Sequence, residues 1–209
     1  MKVNYQKELE AITGKLEGSG KRPRVMLHSC CGPCSSYVLT YLTAWFDLTV
    51  FFYNPNIYPE SEYIKRRDEQ IRLIACLNDA GLAIDFLRGD APHDHFLEIA
   101  KGFETAREGG ERCHRCYAFR LHKTAEMAKE QHCDYFATTL TVSPHKDAQV
   151  INPIGKAIGM ETGVSYLPSD FKKKNGYLKS IELSKRYHLY RQNYCGCEFA
   201  MGHLQKECV

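Results

Sequence analysis

The sequence predicts a single doubly wound α/β domain: a mostly parallel sheet of four to five strands with helices on both faces. Three observations predict it. Short runs rich in β-branched and aromatic residues alternate with longer segments of helical periodicity. The runs are continuously apolar rather than alternating in polarity, as strands covered on both faces are, "LTVFFY" at 48–53 most clearly. The 209 residues suffice for one core, and no repeat, low-complexity stretch or linker marks a second domain.

Residues 1–23 read as a polar leader with a helix at 4–17, and 24–209 as a single α/β domain carrying a cysteine-rich metal site. "RVMLHS" (24–29) is the first strand, and a helix from Ser35 to about Phe46 follows. After "LTVFFY", the prolines and asparagines of "NPNIYPESEY" stop the strand, and Glu60 or Ser61 opens a helix reaching Ala80. Its periodicity places Ile64, Ile71, Ile74 and Ala75 on one face, the expected buried side. "LAIDFL" (82–87) is the third strand, followed by helices near 93–104 and from Arg112 to Gln131. "DYFATTL" (134–140) is the fourth strand. A helix at 147–159, a short strand in "GVSYL" (163–167) and a helix at 176–187 complete the chain. In such sheets ligands bind at the carboxyl ends of the strands. The first of these ends carries "HSCCGPC" and the fourth "TTLTVSPHK".

A net charge of +3 neither demands nor excludes a nucleic-acid partner. Basic runs do occur at 20–24, 65–67, 171–174 and 184–191, where they can meet phosphates or simply face water. The N-terminus has no apolar h-region and no window approaches a membrane span, so a cytoplasmic protein with no membrane partner is expected. In that compartment ten cysteines point to metal ligands or redox groups rather than structural disulfides.

Seven of the cysteines fall into three groups. Cys30, Cys31 and Cys34 occupy a strand-to-helix turn, where a helix N-terminus favours thiolates. Cys113 and Cys116 are spaced i, i+3 at a helix start and share a face. Cys195 and Cys197 form a CxC pair that can share a metal or close a strained, redox-active disulfide bond. Cys76, Cys133 and Cys208 read as ordinary structural or terminal residues. Seven thiols exceed a tetrahedral zinc site, and suit a four-thiolate [4Fe-4S] iron–sulfur cluster with three sulfurs left for a second task. The C-G-P-C tetrapeptide at 31–34 is that of thioredoxins, but four or five strand–helix units over 160 residues and the crowding Cys30 make the match one of spacing alone.

Together "HSCCGPCSS", "FFYNPNIYPESEYIKR", "ERCHRCYAFRL", "TTLTVSPHKD" and "SDFKKKNGYLKSIELSKRYHLYRQNYCGC" resemble the cobalamin-independent epoxyqueuosine reductases, the QueH family, over residues 24–199. The resemblance implies a fold like that of the nucleotide α-hydrolase-like, PP-loop-related domains. The Gly/Ser-rich phosphate loop of those domains is replaced here by the cysteine turn 30–34, so no ATP binding is expected. It implies an oxidoreductase of tRNA processing, acting at the last step of queuosine biosynthesis. The epoxide of epoxyqueuosine, at the wobble position of tRNA, is reduced to an alkene with loss of water, on electrons from a donor protein or other reductant. It also implies an iron–sulfur protein with a second metal or redox element, in a family some of whose members carry Asp where this chain has Cys34.

On that basis Cys30, Cys31, Cys113 and Cys116 are expected to hold the [4Fe-4S] cluster. Cys195 and Cys197, with Cys34, are expected to form the catalytic partner, either a redox-active disulfide or the ligands of a second iron or other divalent metal. Tyr58 and Tyr117 are expected to stack on the extruded wobble base, Lys172 in the 172–174 lysine run to meet phosphate, and Arg191 and Gln192 to bind phosphate or a base edge. His28 reads as a proton donor or, more simply, as a buried and satisfied histidine. Three rivals stand beside this reading: a zinc-binding α/β protein acting on tRNA, a thiol–disulfide oxidoreductase working through Cys31 and Cys34, and a sulfur-transfer enzyme.

Overall fold

The structure, a computed structural model, describes residues 2–200; Cys208 lies outside them. Its elements are α1 (Tyr5–Leu16), β1 (Arg24–His28), α2 (Gly32–Leu42), β2 (Asp47–Phe52), α3 (Glu60–Asp79), β3 (Ile84–Arg88), α4 (His93–Ala100), α5 (Glu111–Glu130), β4 (Tyr135–Thr138), α6 (Ala148–Thr162), β5 (Ser165–Tyr166) and α7 (Gly176–Arg186). A 3₁₀ turn over Thr139–Val142 ends β4 earlier than its apolar run suggests. The strands form one sheet in the order β3-β2-β1-β4-β5, parallel throughout.

Alternation along the strands feeds two cores. Val25 and Leu27 of β1, Leu48 and Val50 of β2 and Ala137 of β4 face the layer built from α1, α2, α3 and α7. Met26, Phe51 and Phe136 face the opposite layer, formed by α5 and α6. The N-terminal helix belongs to the first layer: Leu9 is buried there, and Glu8 and Glu10 pair with Lys156 and Lys174. Among the described residues no helix is long and apolar enough to cross a membrane.

The chain order reverses between β1 and β4, which leaves a crevice at their carboxyl ends. Two local departures from the sequence reading shape it. First, α2 begins at Gly32, three residues earlier than expected. Cys31 is its extended N-cap and Pro33, with φ already set for a helix, sits in the first turn. Cys34 is thereby carried back onto the same helical end as Cys30 and Cys31.

Second, α3 buries a different face from the one its isoleucines mark. Ile64 and Ile71 are 39% and 43% exposed, and Ala75 is exposed, with only Ile74 of that set buried. The inward stripe is Glu62, Arg66, Gln70, Leu73, Ile74 and Leu77. Its C-terminal half packs in the core. Its N-terminal half instead turns charged and amide groups toward the crevice, where polar partners outweigh the loss of apolar burial.

Candidate active site

A cavity of about 510 Å³ opens at this crevice, lined from one side by Cys30, Pro33 and Cys34, and from the other by Leu140, residues 142–146 and the 191–195 segment. The Cys30, Cys31 and Cys34 sulfurs all lie within 4.8 Å of one another. Cys30 and Cys34 both offer hydrogen bonds to the Cys31 sulfur, holding Cys31 well below the ordinary thiol range and pushing Cys30 and Cys34 up. Gln192 adds to the lowering of Cys31. The trio thus gathers its thiols at the positive end of α2, which favours the thiolate form of Cys31.

Of the other four thiols, Cys195 lines the cavity. Cys116 and Cys197 share a small apolar cluster with Phe96 and Ala200, and Cys195 packs against it. Cys113, one turn before Cys116, accepts a hydrogen bond from the Gly109 amide at 3.2 Å. Burial raises Cys116 to about 11 and Cys197 to about 12, with Cys195 adding to both. These are neutral thiols that a metal would have to deprotonate. The nine described cysteines, Cys195 and Cys197 included, are free thiols.

Of the expected quartet, Cys30 and Cys31 lie in the close trio with Cys34, and Cys113 and Cys116 lie one turn apart on α5, Cys113 in the core cluster against which Cys30 also packs. Cys34 lies with Cys30 and Cys31 because three and four residues on a helical turn return to one face. Cys116 of α5 packs with Cys197 of the CxC loop, with Cys195 against the same cluster.

That loop is held by α3. Arg66 donates from Nε to Glu62 at 2.7 Å, from Nη1 to the Cys195 carbonyl at 3.1 Å and from Nη2 to the Tyr194 carbonyl at 3.4 Å. Glu62 also accepts from the Tyr190 hydroxyl, and Glu69 from the Tyr190 amide. Gly196, at φ +96°, turns the loop in a conformation that favours glycine, and its carbonyl accepts from the Tyr58 amide.

Positive charge faces the thiols. Lys146 Nζ donates to Cys195 Sγ at 3.4 Å and to Glu108 at 3.0 Å. Burial opposes its charge, but Cys195, Tyr117 and Glu108 outweigh that and keep the ammonium protonated. Arg120 is buried among Cys116, Cys30 and Cys195, its Nη2 without a partner. Buried cations beside Cys30, Cys116 and Cys195 suit a thiolate-bound metal group, whose net negative charge would otherwise be isolated in a low-dielectric site.

The remaining expected residues divide. Arg191 and Gln192 line the cavity, and Arg191 also donates to Ser184 and lies over the Tyr177 ring. Tyr58 is 43% exposed beside the CxC loop, its ring stacked on His93 at 5.0 Å. Tyr117 is 3% exposed and outside the cavity lining; the α5 packing that brings it against Lys146 and Arg120 covers the face a base would need. Lys172 is also outside the lining and is paired with Asp170 at 2.7 Å. His28 is the buried, satisfied histidine: Nδ1 meets Thr138 at 3.0 Å, Nε2 meets Asn54 at 3.2 Å, and burial lowers its pKa to about 3. Arg66, Arg120 and Lys146 were not singled out from the sequence. All three do fall within the quoted motifs, Arg66 at the end of "FFYNPNIYPESEYIKR", Arg120 in "ERCHRCYAFRL" and Lys146 in "TTLTVSPHKD".

Comparison with known proteins supplies the context for this cavity. The family model described as "Epoxyqueuosine reductase QueH" matches residues 25–203. Relatives of that name include the protein of Staphylococcus epidermidis, 43% identical over 95% of this chain and 85% of its own length. That of Streptococcus pyogenes serotype M1 is 42% identical over 95% of this chain and 78% of its own. That of Thermotoga maritima is 38% identical over 85% and 90%. Among solved structures, the U34-tRNA thiolase NcsA of Methanococcus maripaludis, with its [4Fe-4S] cluster, aligns at a TM-score of 0.53. The alignment has 14% identity and covers 93% of this chain and 67% of that one, a likeness of fold. By the extent of the family match and the length of these alignments, the chain belongs to the epoxyqueuosine reductase QueH family of oxidoreductases.

Proposed function

We propose that this cavity reduces the epoxide of epoxyqueuosine, at the wobble position of tRNA, to the alkene of queuosine with loss of water. The observation that carries the reading is a cavity at the β1/β4 switch point lined by Cys30, Cys34 and Cys195 together with buried Lys146 and Arg120, with Cys31 beside the first two and Cys116 and Cys197 packed near Cys195. A structural zinc site and disulfide exchange give no reason for an open cavity with a buried lysine in contact with Cys195. The reaction consumes two electrons and two protons per epoxide and releases its oxygen as water. The electrons come from a donor protein or other reductant.

Cys113, Cys116, Cys195 and Cys197 are assigned as ligands of a [4Fe-4S] cluster, and Cys30, Cys31 and Cys34 as ligands of a second iron or other divalent metal. This division is supported by the close trio of Cys30, Cys31 and Cys34 and by the packing of Cys116 with Cys195 and Cys197, with Cys113 one turn before Cys116. When bound, the cluster supplies single electrons and the second metal polarises the epoxide oxygen as a Lewis acid. The protein's own groups do the rest. Lys146 holds a proton at Nζ on the cavity wall. Arg66 fixes the turn that aims Cys195 and Cys197. Gln192 faces Cys31, and exposed Arg191 stands at the rim, where the RNA backbone would pass. Tyr58 offers an accessible ring for an anticodon base. Acting on tRNA, the enzyme would work in the cytoplasm.

The test is anaerobic purification with iron and acid-labile sulfide analysis, followed by conversion of epoxyqueuosine tRNA. Wild-type protein should carry about four sulfides and about five irons per chain. Cys34→Ala should lose about one iron and keep its sulfide, whereas Cys116→Ala and Cys195→Ala should lose the sulfide. Sulfide lost with Cys30→Ala and kept with Cys195→Ala would overturn the division. Colourless protein that cannot be reconstituted would overturn the reaction.

A further inference from the structure

Arg120 stands one turn after Cys116 on α5 and is 1% exposed. Two of its nitrogens are committed: Nε donates to the Cys116 carbonyl at 3.3 Å, and Nη1 donates to Asn54 Oδ1 at 3.4 Å. Nη2 is buried with no partner, yet the residue lines the cavity. A buried guanidinium N–H left unmade is unfavourable, so its persistence calls for a ligand that enters from the cavity.

The group is also aimed. Asn54 Nδ2 donates to the Ser29 carbonyl at 2.8 Å, and its Oδ1 meets His28 Nε2 at 3.2 Å, while His28 Nδ1 meets Thr138 Oγ1 at 3.0 Å. Residues at the ends of β1 and β4 and just past β2 thus fix the Asn54 amide, and through it the guanidinium. Arg120 shares the cavity lining with Cys30 and Cys195, and Cys116 lies one turn before it on α5.

We propose that Arg120 is a catalytic residue whose free Nη2–H donates a hydrogen bond to the epoxide oxygen and stabilises the negative charge that oxygen gains as its C–O bond breaks. The assignment rests on the function proposed above. Burial selects this partner over an RNA phosphate: phosphates stay at the rim, where exposed Arg191 can meet them, and only the modified base reaches Nη2. The donor is preorganised toward charge that develops during the reaction, as in an oxyanion hole.

The experiment compares two anticodon stem-loops that differ by one oxygen, bearing epoxyqueuosine or queuosine, bound to anaerobically purified wild-type, Arg120→Gln and Arg120→Lys proteins. Single-turnover rates and iron and sulfide contents are measured alongside. Wild-type protein should bind the epoxide RNA roughly tenfold tighter. Arg120→Gln should lose that preference, keep its metal and its affinity for queuosine RNA, and react about a hundredfold more slowly. Arg120→Lys should recover part of the rate.

A retained preference in Arg120→Gln would overturn the proposal. So would loss of iron with Arg120→Gln, which would make the guanidinium a counter-charge for the metal group. Should Arg120→Gln fail to fold, Asn54→Ala keeps the charge and loosens its aim. It should weaken the preference, and an unchanged preference would overturn the assignment. Wild-type protein that prefers the epoxide RNA but forms no queuosine would strike the proposed reaction while supporting the Arg120 contact. Product formed without any preference would do the reverse.

Discussion

The Lys146 ammonium lies 3.4 Å from the Cys195 sulfur, and its other polar partner is a carboxylate, Glu108, that is 44% exposed. The two contacts differ in weight. Glu108 can be re-solvated at little cost if Lys146 is removed, whereas Cys195 has no other cation in hydrogen-bond contact among the described residues. Charge-assisted hydrogen bonds contribute about 1.5–3 kcal/mol. Lys146→Met is therefore expected to slow epoxide reduction by roughly tenfold to a hundredfold, with the melting temperature of the metal-free protein little changed. Lys146→Arg should retain more activity than Lys146→Met. Equal rates for Lys146→Met and wild type, measured by queuosine formation in single turnover, would remove Lys146 from the reaction.

Arg66 tests the frame rather than the chemistry. Its pair with Glu62 is buried on both sides, with side-chain exposures of 1% and 11%. Arg66→Met would strand Glu62 and also leave the Cys195 and Tyr194 carbonyls without their donor. Breaking a buried pair from one side costs about 3–5 kcal/mol, to be read from urea unfolding of the metal-free protein. The double variant Arg66→Met, Glu62→Leu should regain part of that loss, because no uncompensated charge remains. An additive double variant would mean the two groups are not coupled as the 2.7 Å contact implies.

Gly196→Ala probes the same loop from its backbone. The glycine sits at φ +96°, and an added Cβ would lie 2.9 Å from Arg66 Nη1 and 3.1 Å from Ile57 Cγ1. Backbone strain of this kind costs about 1–3 kcal/mol, and the crowded guanidinium would have to release a carbonyl. Iron and sulfide content is expected to fall along with stability. Full metal loading in Gly196→Ala would show that the turn tolerates the displacement.

The alternation of apolar runs and helical segments made the doubly wound sheet legible, because a parallel sheet covered on both faces leaves continuous hydrophobic strands. The cysteines were legible as a set, since their number in a domain of this size has no structural use. What spacing does not reveal is that α2 starts at Gly32, which brings Cys34 beside Cys30 and Cys31, or that Cys195 and Cys197 come to pack near Cys116 of α5. The polar stripe Glu62, Arg66 and Gln70 was misread for a related reason. Charged residues at four-residue intervals ordinarily mark a solvated helix face, and the isoleucines of α3 drew the buried face to the wrong side. A functional crevice reverses that rule locally, by supplying partners for charge inside and leaving Ile64 and Ile71 in water.

RNA affinity should separate the two tyrosines that the sequence alone treats alike. Tyr58 presents an exposed ring backed by His93 at 5.0 Å and 29° between planes, so a base can add to an existing stack. Tyr117 is sealed against Lys146 and Arg120. Base–aromatic stacking contributes about 1–3 kcal/mol, so Tyr58→Ala should weaken binding of an anticodon stem-loop by roughly tenfold. Tyr117→Phe keeps the packed ring and should leave affinity unchanged. Lys172→Ala should also have little effect, because Asp170 already neutralises that ammonium away from the cavity. Fluorescence anisotropy with a labelled stem-loop reads all three variants. A loss of affinity in Tyr117→Phe comparable to that in Tyr58→Ala would mean that the α5 face opens to admit a base, and that the rim around Tyr58 is not where the anticodon rests.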